Sequence, residues 1–281
     1  MKIGIIGAGT MGNGIAHVFS LHENEVILVD ISENILNTAF SNIKKNMLRQ
    51  CKKNVIDDKK MNSSLNKITL STSFSTLNNC DLIIEAVRED FEIKTNVFKK
   101  LDSICKKETI FASNTSSISI SKLGNEISRT DKFIGMHFMN PVPIMKLIEV
   151  IKGKKTSNKT LEFIMSLAKS IEKVPVECND APGFVSNRIL MPMINEAAYC
   201  FMEGIAEVKA IDSIMKLGMG HPMGPLKLAD LIGIDVCVFI MDILYEGFKD
   251  KKYKACPILK KMIEENKLGK KTKEGFYSYE F

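Results

Sequence analysis

The first half of the chain alternates short runs of aliphatic and β-branched residues with longer stretches in which apolar positions recur every three or four residues. The runs at Lys2–Ile6, Glu25–Val29, Leu82–Ala86, Thr109–Ala112, Phe133–His137 and Leu147–Val150 predict strands. They are apolar almost from end to end, the pattern of strands buried on both faces of a parallel sheet. Between them, Glu33–Lys53 and Ile93–Ser103 predict helices, so an α/β domain is expected. The character changes at Asn179-Asp180-Ala181-Pro182-Gly183, a cluster of turn residues. Beyond it no strand pattern recurs before the tail. FVSNRILMPMINEAAYCFMEG, EVKAIDSIMKLG and IDVCVFIMDILYEGF instead predict helices. The last is apolar nearly all round, which places it in a core or at a subunit interface. Two domains are expected, α/β over residues 1–182 and all-α over 183–281, with no internal repeat.

The chain has 281 residues, 45% hydrophobic and 26% charged, a mix that supports sizeable cores. A net charge of +6 suits an anionic ligand. Without an arginine-rich or aromatic-interleaved stripe it does not make a nucleic-acid footprint. No apolar stretch approaches the ~20 residues that span a membrane. The chain enters its first strand at once, with no apolar leader, and a cytoplasmic protein is expected. The seven cysteines lie far apart, with no CxxC pair and no cysteine–histidine metal spacing. They read as free thiols in a reducing compartment, and no metal is expected.

The first candidate chemistry lies in KIGIIGAGTMGNGIAHVF, where Gly7-Ala8-Gly9-Thr10-Met11-Gly12 sits between a strand and a helix. Gly7 suits a tight turn, Gly9 allows a pyrophosphate to approach the backbone, and Gly12 lets helix and strand pack closely. The helix N-terminus then faces the phosphates. A second strand ends at Asp30, where an acid can hold the adenosine ribose hydroxyls. The first domain is therefore Rossmann-type, with Gly7, Gly9, Thr10, Met11, Gly12 and Asp30 as cofactor contacts. Asp30 favours NAD over NADP, because its carboxylate repels a 2′-phosphate and Ile31-Ser32 brings no arginine to accept one.

Two further stretches set polar residues in apolar surroundings: FASNTSSISI, with Asn114, Ser116 and Ser117, and GMHFMNPV, with His137 and Asn140. Of the four histidines, His137 alone closes a predicted strand, where open α/β sheets place their ligand crevice. An imidazole there is either a satisfied core histidine or an acid/base group for a hydroxyl that loses hydride. Glu149 lies between Ile148 and Val150 in an apolar strand, and a buried carboxylate needs a partner. It either bridges to a structural Lys or Arg, or orients His137.

The glycine loop with Asp30, ASNTSSISI, GMHFMNPVPIMKLIEVI, APGFVSNRI and KLGMGHPMGPLKLAD together resemble the short-chain L-3-hydroxyacyl-CoA dehydrogenases. Within that family the chain is most similar to bacterial members acting on 3-hydroxybutyryl-CoA. The resemblance runs from the first strand to KKTKEGFYSY. It implies NAD-linked interconversion of (S)-3-hydroxyacyl-CoA and 3-oxoacyl-CoA, with Ser116, His137, Glu149 and Asn187 as the catalytic set. By the same resemblance Ser116 holds the reacting oxygen, His137 works with Glu149 as the acid/base, and Asn187 contacts the acyl group from the second domain. Glu89, Lys94 and Asn140 fall where the family contacts the nicotinamide half of NAD. Met139 stands where many members carry a second phenylalanine.

On Glu33–Lys53, Ile35, Ala39, Ile43 and Met47 form one expected core face, and Lys45, Arg49 and Lys53 repeat at the same spacing on another. The basic stripe is either a solvated face or a seat for the phosphates of an acyl-CoA. The resemblance supports the second use for Arg49 and Lys53. Two other functions remain to be weighed. A dehydrogenase of a small free hydroxy acid would need an arginine for the carboxylate, with Arg88, Arg129 and Arg188 nearest His137 in sequence. A non-catalytic NAD-binding protein would have lost a catalytic candidate, and all are present. The apolar C-terminal helices point to a homodimer or a higher homo-oligomer.

Overall fold

A computed structural model describes residues 1–280. The chain divides into two compact units, Met1–Ala181 and a second that begins at Pro182.

In the first unit the order is β1 (Lys2–Ile6), α1 (Thr10–Leu21), β2 (Glu25–Val29), α2 (Glu33–Lys52), α3 (Asp58–Leu65), β3 (Ile68–Ser71), β4 (Leu82–Glu85) and α4 (Phe91–Ile104). Then come β5 (Ile110–Ser113), α5 (Ile120–Gly124), β6 (Phe133–Phe138), β7 (Leu147–Lys152), α6 (Asn158–Ser170) and β8 (Val174–Asn179). The strands form one sheet in the order β3-β2-β1-β4-β5-β6-β7-β8. The chain thus starts in the middle, builds outward to β3, and crosses back over β1 to β4. That reversal opens a crevice at the C-terminal ends of β1 and β4.

The expectation of a parallel sheet is corrected at one place: β6 and β7 are antiparallel. Their connection, residues 139–146, is too short for the parallel crossover, which takes about a dozen residues or more. The two strands absent from the sequence reading, β3 and β8, are the edges of the sheet. Edge strands keep one flank in water and lose the continuous apolar run. On β8, Val174 and Val176 are exposed, and Pro175 is tolerated because one side needs no ladder bond.

Period-two alternation assigns the faces. Ile84, Ala112, Ile134, Met136, Phe138, Ile148 and Val150 turn into a cluster with Ile15 of α1, Ile43 of α2 and Ile164 of α6. Phe111 and Phe133 meet Phe98 of α4 on the opposite face, at ring separations of 5.8 and 4.8 Å. Glu85, Ser113, His137 and Glu149 alternate with residues of the first cluster and so share the second face. On α2 the core stripe runs through Leu36, Ala39, Ile43 and Met47. Ile35, expected in that stripe, is 41% exposed.

The second unit consists of α7 (Ser186–Met202), α8 (Val208–Gly218), α9 (Pro225–Ile232), α10 (Ile234–Phe248) and α11 (Pro257–Glu264) around its own core. In α10, Ile234, Cys237, Ile240, Met241 and Leu244 are buried while Val236 and Phe239 are exposed, so the all-apolar helix serves the core with only part of its surface. Its C-terminal tail is pinned by Asp230 of α9, which accepts the amides of Phe276 and Tyr277 at 2.8 and 2.9 Å and the Tyr279 hydroxyl at 3.0 Å.

Candidate active site

The glycine loop joins β1 to α1 through backbone that only glycine fits. Gly7 has φ +94°, and a Cβ there would lie 2.5 Å from the Ala86 carbonyl oxygen. A Cβ on Gly12 would stand 1.7 Å from the Gly7 oxygen. One on Gly9 would meet nothing within 4 Å, so the backbone there is open to an approaching group. Asp30 braces the loop: its Oδ2 accepts the Ala8 amide at 2.7 Å and its Oδ1 the Ile31 amide at 2.7 Å. Beside the loop lies a cavity of about 930 Å³ lined by Gly7, Gly9, Asp30, Ile31, Ile35 and Val87 among others. Ile35 is thus a wall of this cavity rather than core, a role that periodicity alone did not reveal. Open backbone at Gly9, a first turn of α1 without acidic residues and a carboxylate at the cavity wall fit a dinucleotide.

The serine loop after β5 is held from the β4–α4 connection. Glu89 Oε1 accepts the Thr115 hydroxyl at 2.6 Å, the Ser116 and Ser117 amides at 2.9 and 3.1 Å, and the Ser117 hydroxyl at 2.8 Å. Ser116 Oγ is more distant, at 3.3 Å. Behind Glu89, Lys94 is 1% exposed and Glu85 fully buried. Lys94 Nζ donates to Glu85 Oε1 at 2.6 Å and to the Val87 carbonyl at 3.3 Å, and lies 3.2 Å from Glu89 Oε2. Glu85 also accepts the Ser113 hydroxyl at 2.6 Å and the Val87 amide at 2.7 Å. Burial pushes the Glu85 carboxyl up, against the pull of the Lys94 charge and these donors. Burial works the same way on Glu89, but there Lys94, the two hydroxyls and the Ser116 amide win, and the carboxyl lies below its ordinary value.

His137 and Glu149 are direct partners across the β6–β7 ladder. His137 Nδ1 lies 2.7 Å from Glu149 Oε2, with both residues buried. A carboxylate accepts only from a protonated nitrogen, so the ring donates Nδ1–H, and in its neutral form the lone pair lies at Nε2. Of the two partners open to Glu149 from sequence, a structural cation or His137, His137 lies within hydrogen-bond distance.

Two family models cover the chain: the NAD binding domain of 3-hydroxyacyl-CoA dehydrogenase over residues 2–181 and its C-terminal domain over residues 183–279. The chain belongs to the 3-hydroxyacyl-CoA dehydrogenase family. It is an oxidoreductase of that family, and NAD is its cofactor. It is 49% identical over 279 residues to a probable 3-hydroxybutyryl-CoA dehydrogenase of Deinococcus radiodurans, covering 99% of this chain and 100% of that one. It is 48% identical to the 3-hydroxybutyryl-CoA dehydrogenase of Clostridioides difficile, covering 99% of each chain. Among solved structures, (S)-3-hydroxybutyryl-CoA dehydrogenase from Ralstonia eutropha matches with a TM-score of 0.97 and 44% identity, over 100% of this chain and 99% of that one.

Within this family member, the expected site residues fall into distinct groups. Gly7, Gly9, Thr10, Met11, Gly12 and Asp30 lie at the β1–α1 turn and the end of β2, and Ser116, Glu89, Lys94 and His137 at or after the ends of β4, β5 and β6. Asn140 is exposed in the β6–β7 connection. Asn187 is buried in the first turn of α7, in the second unit. Arg49 and Lys53 are exposed at the C-terminal end of α2, where Arg49 Nη1 reaches Asn46 Oδ1 at 3.4 Å. Sequence reading missed Glu85 and Thr115 as parts of the site's frame, and Ser117, singled out there, joins it through Glu89. Glu85 carried a usable signal, an acid closing the apolar run Leu82-Ile83-Ile84, the same signal that singled out Glu149.

Proposed function

We propose that this protein interconverts (S)-3-hydroxybutyryl-CoA and acetoacetyl-CoA with NAD(H), His137 and Glu149 acting as the acid/base pair. The observation that carries the reading is the buried 2.7 Å contact between His137 Nδ1 and Glu149 Oε2 at the crevice end of the sheet. Bound NAD supplies the hydride acceptor in oxidation and, as NADH, the donor in reduction. In oxidation Ser116 Oγ–H donates to the substrate's 3-hydroxyl oxygen and His137 Nε2 takes its proton. In reduction the same nitrogen returns the proton to the 3-oxo oxygen. Glu149 holds the ring in the productive tautomer and stabilises its protonated form. Glu89, Lys94 and Asn140 frame the nicotinamide side. Asn187 contacts the acyl group. Arg49 and Lys53, exposed on α2, hold coenzyme A phosphates.

A free hydroxy acid would need an arginine for its carboxylate, and of the three nearest in sequence Arg88 lines the cavity beside the glycine loop. Arg129 is committed elsewhere: Nε donates to Asp102 at 2.6 Å, Nη1 to the Lys106 carbonyl at 2.7 Å, and the guanidinium lies 4.5 Å from the Phe111 ring centroid. Arg188 covers the Phe248 ring in the second unit, at 4.3 Å. Exposed Ile214, Leu217, Met219 and Phe239 support a homodimer or higher homo-oligomer. No helix among the described residues is long and apolar enough to cross a membrane. The deciding experiment compares NADH oxidation with acetoacetyl-CoA and with free acetoacetate. Turnover of the thioester is expected. Equal turnover of the free acid would overturn the substrate class.

A further inference from the structure

The backbone ladder between β5 and β6 ends at Ser113↔Gly135, but β6 continues through Met136, His137 and Phe138. His137 therefore stands on an overhang beyond the last β5 pairing. On that overhang the Phe138 amide is accepted by the side chain of Asn114, whose Oδ1 lies 2.9 Å away. The Asn114 backbone amide turns the other way and donates to the Glu85 carbonyl at 2.8 Å. One residue, only 9% exposed, thus ties the ends of β4, β5 and β6. From these three ends spring Glu89, Ser116 and His137 respectively. Neither Asn114 nor Phe138 is among the residues assigned a role above.

We propose that Asn114 is a positioning residue that sets the spacing between Ser116 and His137, prolonging strand pairing with its side chain past the end of the backbone ladder. The proposal rests on the roles given to Ser116 and His137 under Proposed function. The side-chain type follows from the site. An amide oxygen reaches the Phe138 N–H as a backbone carbonyl would, whereas Ala or Leu leaves a buried donor unpaired. An aspartate would reach as far, but it would add another carboxylate to a strand edge that already holds Glu85 and Glu89. Asparagine gives the acceptor without the charge.

The test combines kinetics with residue-resolved hydrogen exchange on the full-length protein. In the unmodified protein the Phe138 amide should exchange as slowly as the amides of the β5–β6 ladder. In Asn114→Ala it should exchange much faster. The same variant should lose on the order of 10²-fold in kcat for acetoacetyl-CoA reduction, the cost of a displaced acid/base group. KM for NADH should stay within about twofold, since the glycine loop and Asp30 are untouched. A purely structural role would lower the melting temperature and leave kcat of the folded enzyme alone. Unchanged kcat in folded Asn114→Ala overturns the proposal. So does fast exchange at Phe138 in the unmodified protein, a result that decides the matter even if the variant does not fold. If the unmodified protein fails to reduce acetoacetyl-CoA, the substrate assignment falls, and slow or fast exchange at Phe138 still upholds or overturns the tie.

Discussion

Replacing Lys94 with Met tests the frame beneath the serine loop most directly. Lys94 is the cation for Glu85, which has no access to solvent. Methionine fills similar volume but leaves Glu85 with only the Ser113 hydroxyl and the Val87 amide as partners. Breaking a buried ion pair from one side costs about 3–5 kcal/mol, because the remaining charge is uncompensated. For a unit of this size, 1 kcal/mol shifts the melting temperature by roughly 2–4 °C, so a fall of about 6–20 °C is expected. The pH dependence has a definite sign. Burial already raises Glu85, and loss of the cation raises it further, so the folded variant binds a proton that the unfolded chain does not. The variant's stability then falls as pH rises through the window between its unfolded and folded Glu85 pKa values. It recovers at acidic pH, where Glu85 is protonated in both states. Adding Glu85→Gln removes the stranded charge and should restore most of the loss at neutral pH. Thermal melts at several pH values on both variants provide the measurement. A Lys94→Met protein as stable as the original, or a deficit that Glu85→Gln does not relieve, would refute the reasoning.

His137→Ala should lower turnover by about 10²–10⁴-fold with NADH affinity retained, read from steady-state rates and a fluorescence titration of NADH. Asp30→Asn should narrow the preference for NADH, because the charge that repels a 2′-phosphate is gone; the ratio of kcat/KM with NADH and NADPH reports it. Gly12→Ala places a Cβ 1.7 Å from the Gly7 oxygen, so the turn must open. Loss of NADH binding together with a lowered melting temperature is expected, and an unchanged titration would contradict the packing role of that glycine.

The local parts of this protein were legible in the sequence because short-range physics sets them. A tight turn flanked by strand and helix patterns demands glycine at residue 7, where φ is +94°, and at residue 12, where helix and strand nearly touch. Period-two alternation likewise showed that His137, between Met136 and Phe138, and Glu149, between Ile148 and Val150, each turn away from their apolar neighbours. Whether those two side chains meet depends on register, and register depends on direction. The antiparallel return of β7 sets His137 opposite Glu149, whereas the parallel sheet read from the apolar runs offered no such pairing. The edge strands β3 and β8 escaped notice because half-solvated strands lack a continuous apolar signal. Ile35 and Leu36 are adjacent apolar residues on one helix, and only the packed sheet determined which of them entered the core and which walled the cavity. Glu85, Lys94 and the Thr115–Ser117 loop join residues from β4, α4 and the end of β5, brought together by strand order. Periodicity describes which side of its own element a residue faces. Which residue it meets there is decided by how the strands are ordered and registered to bury the whole sheet, a global balance that no single segment encodes.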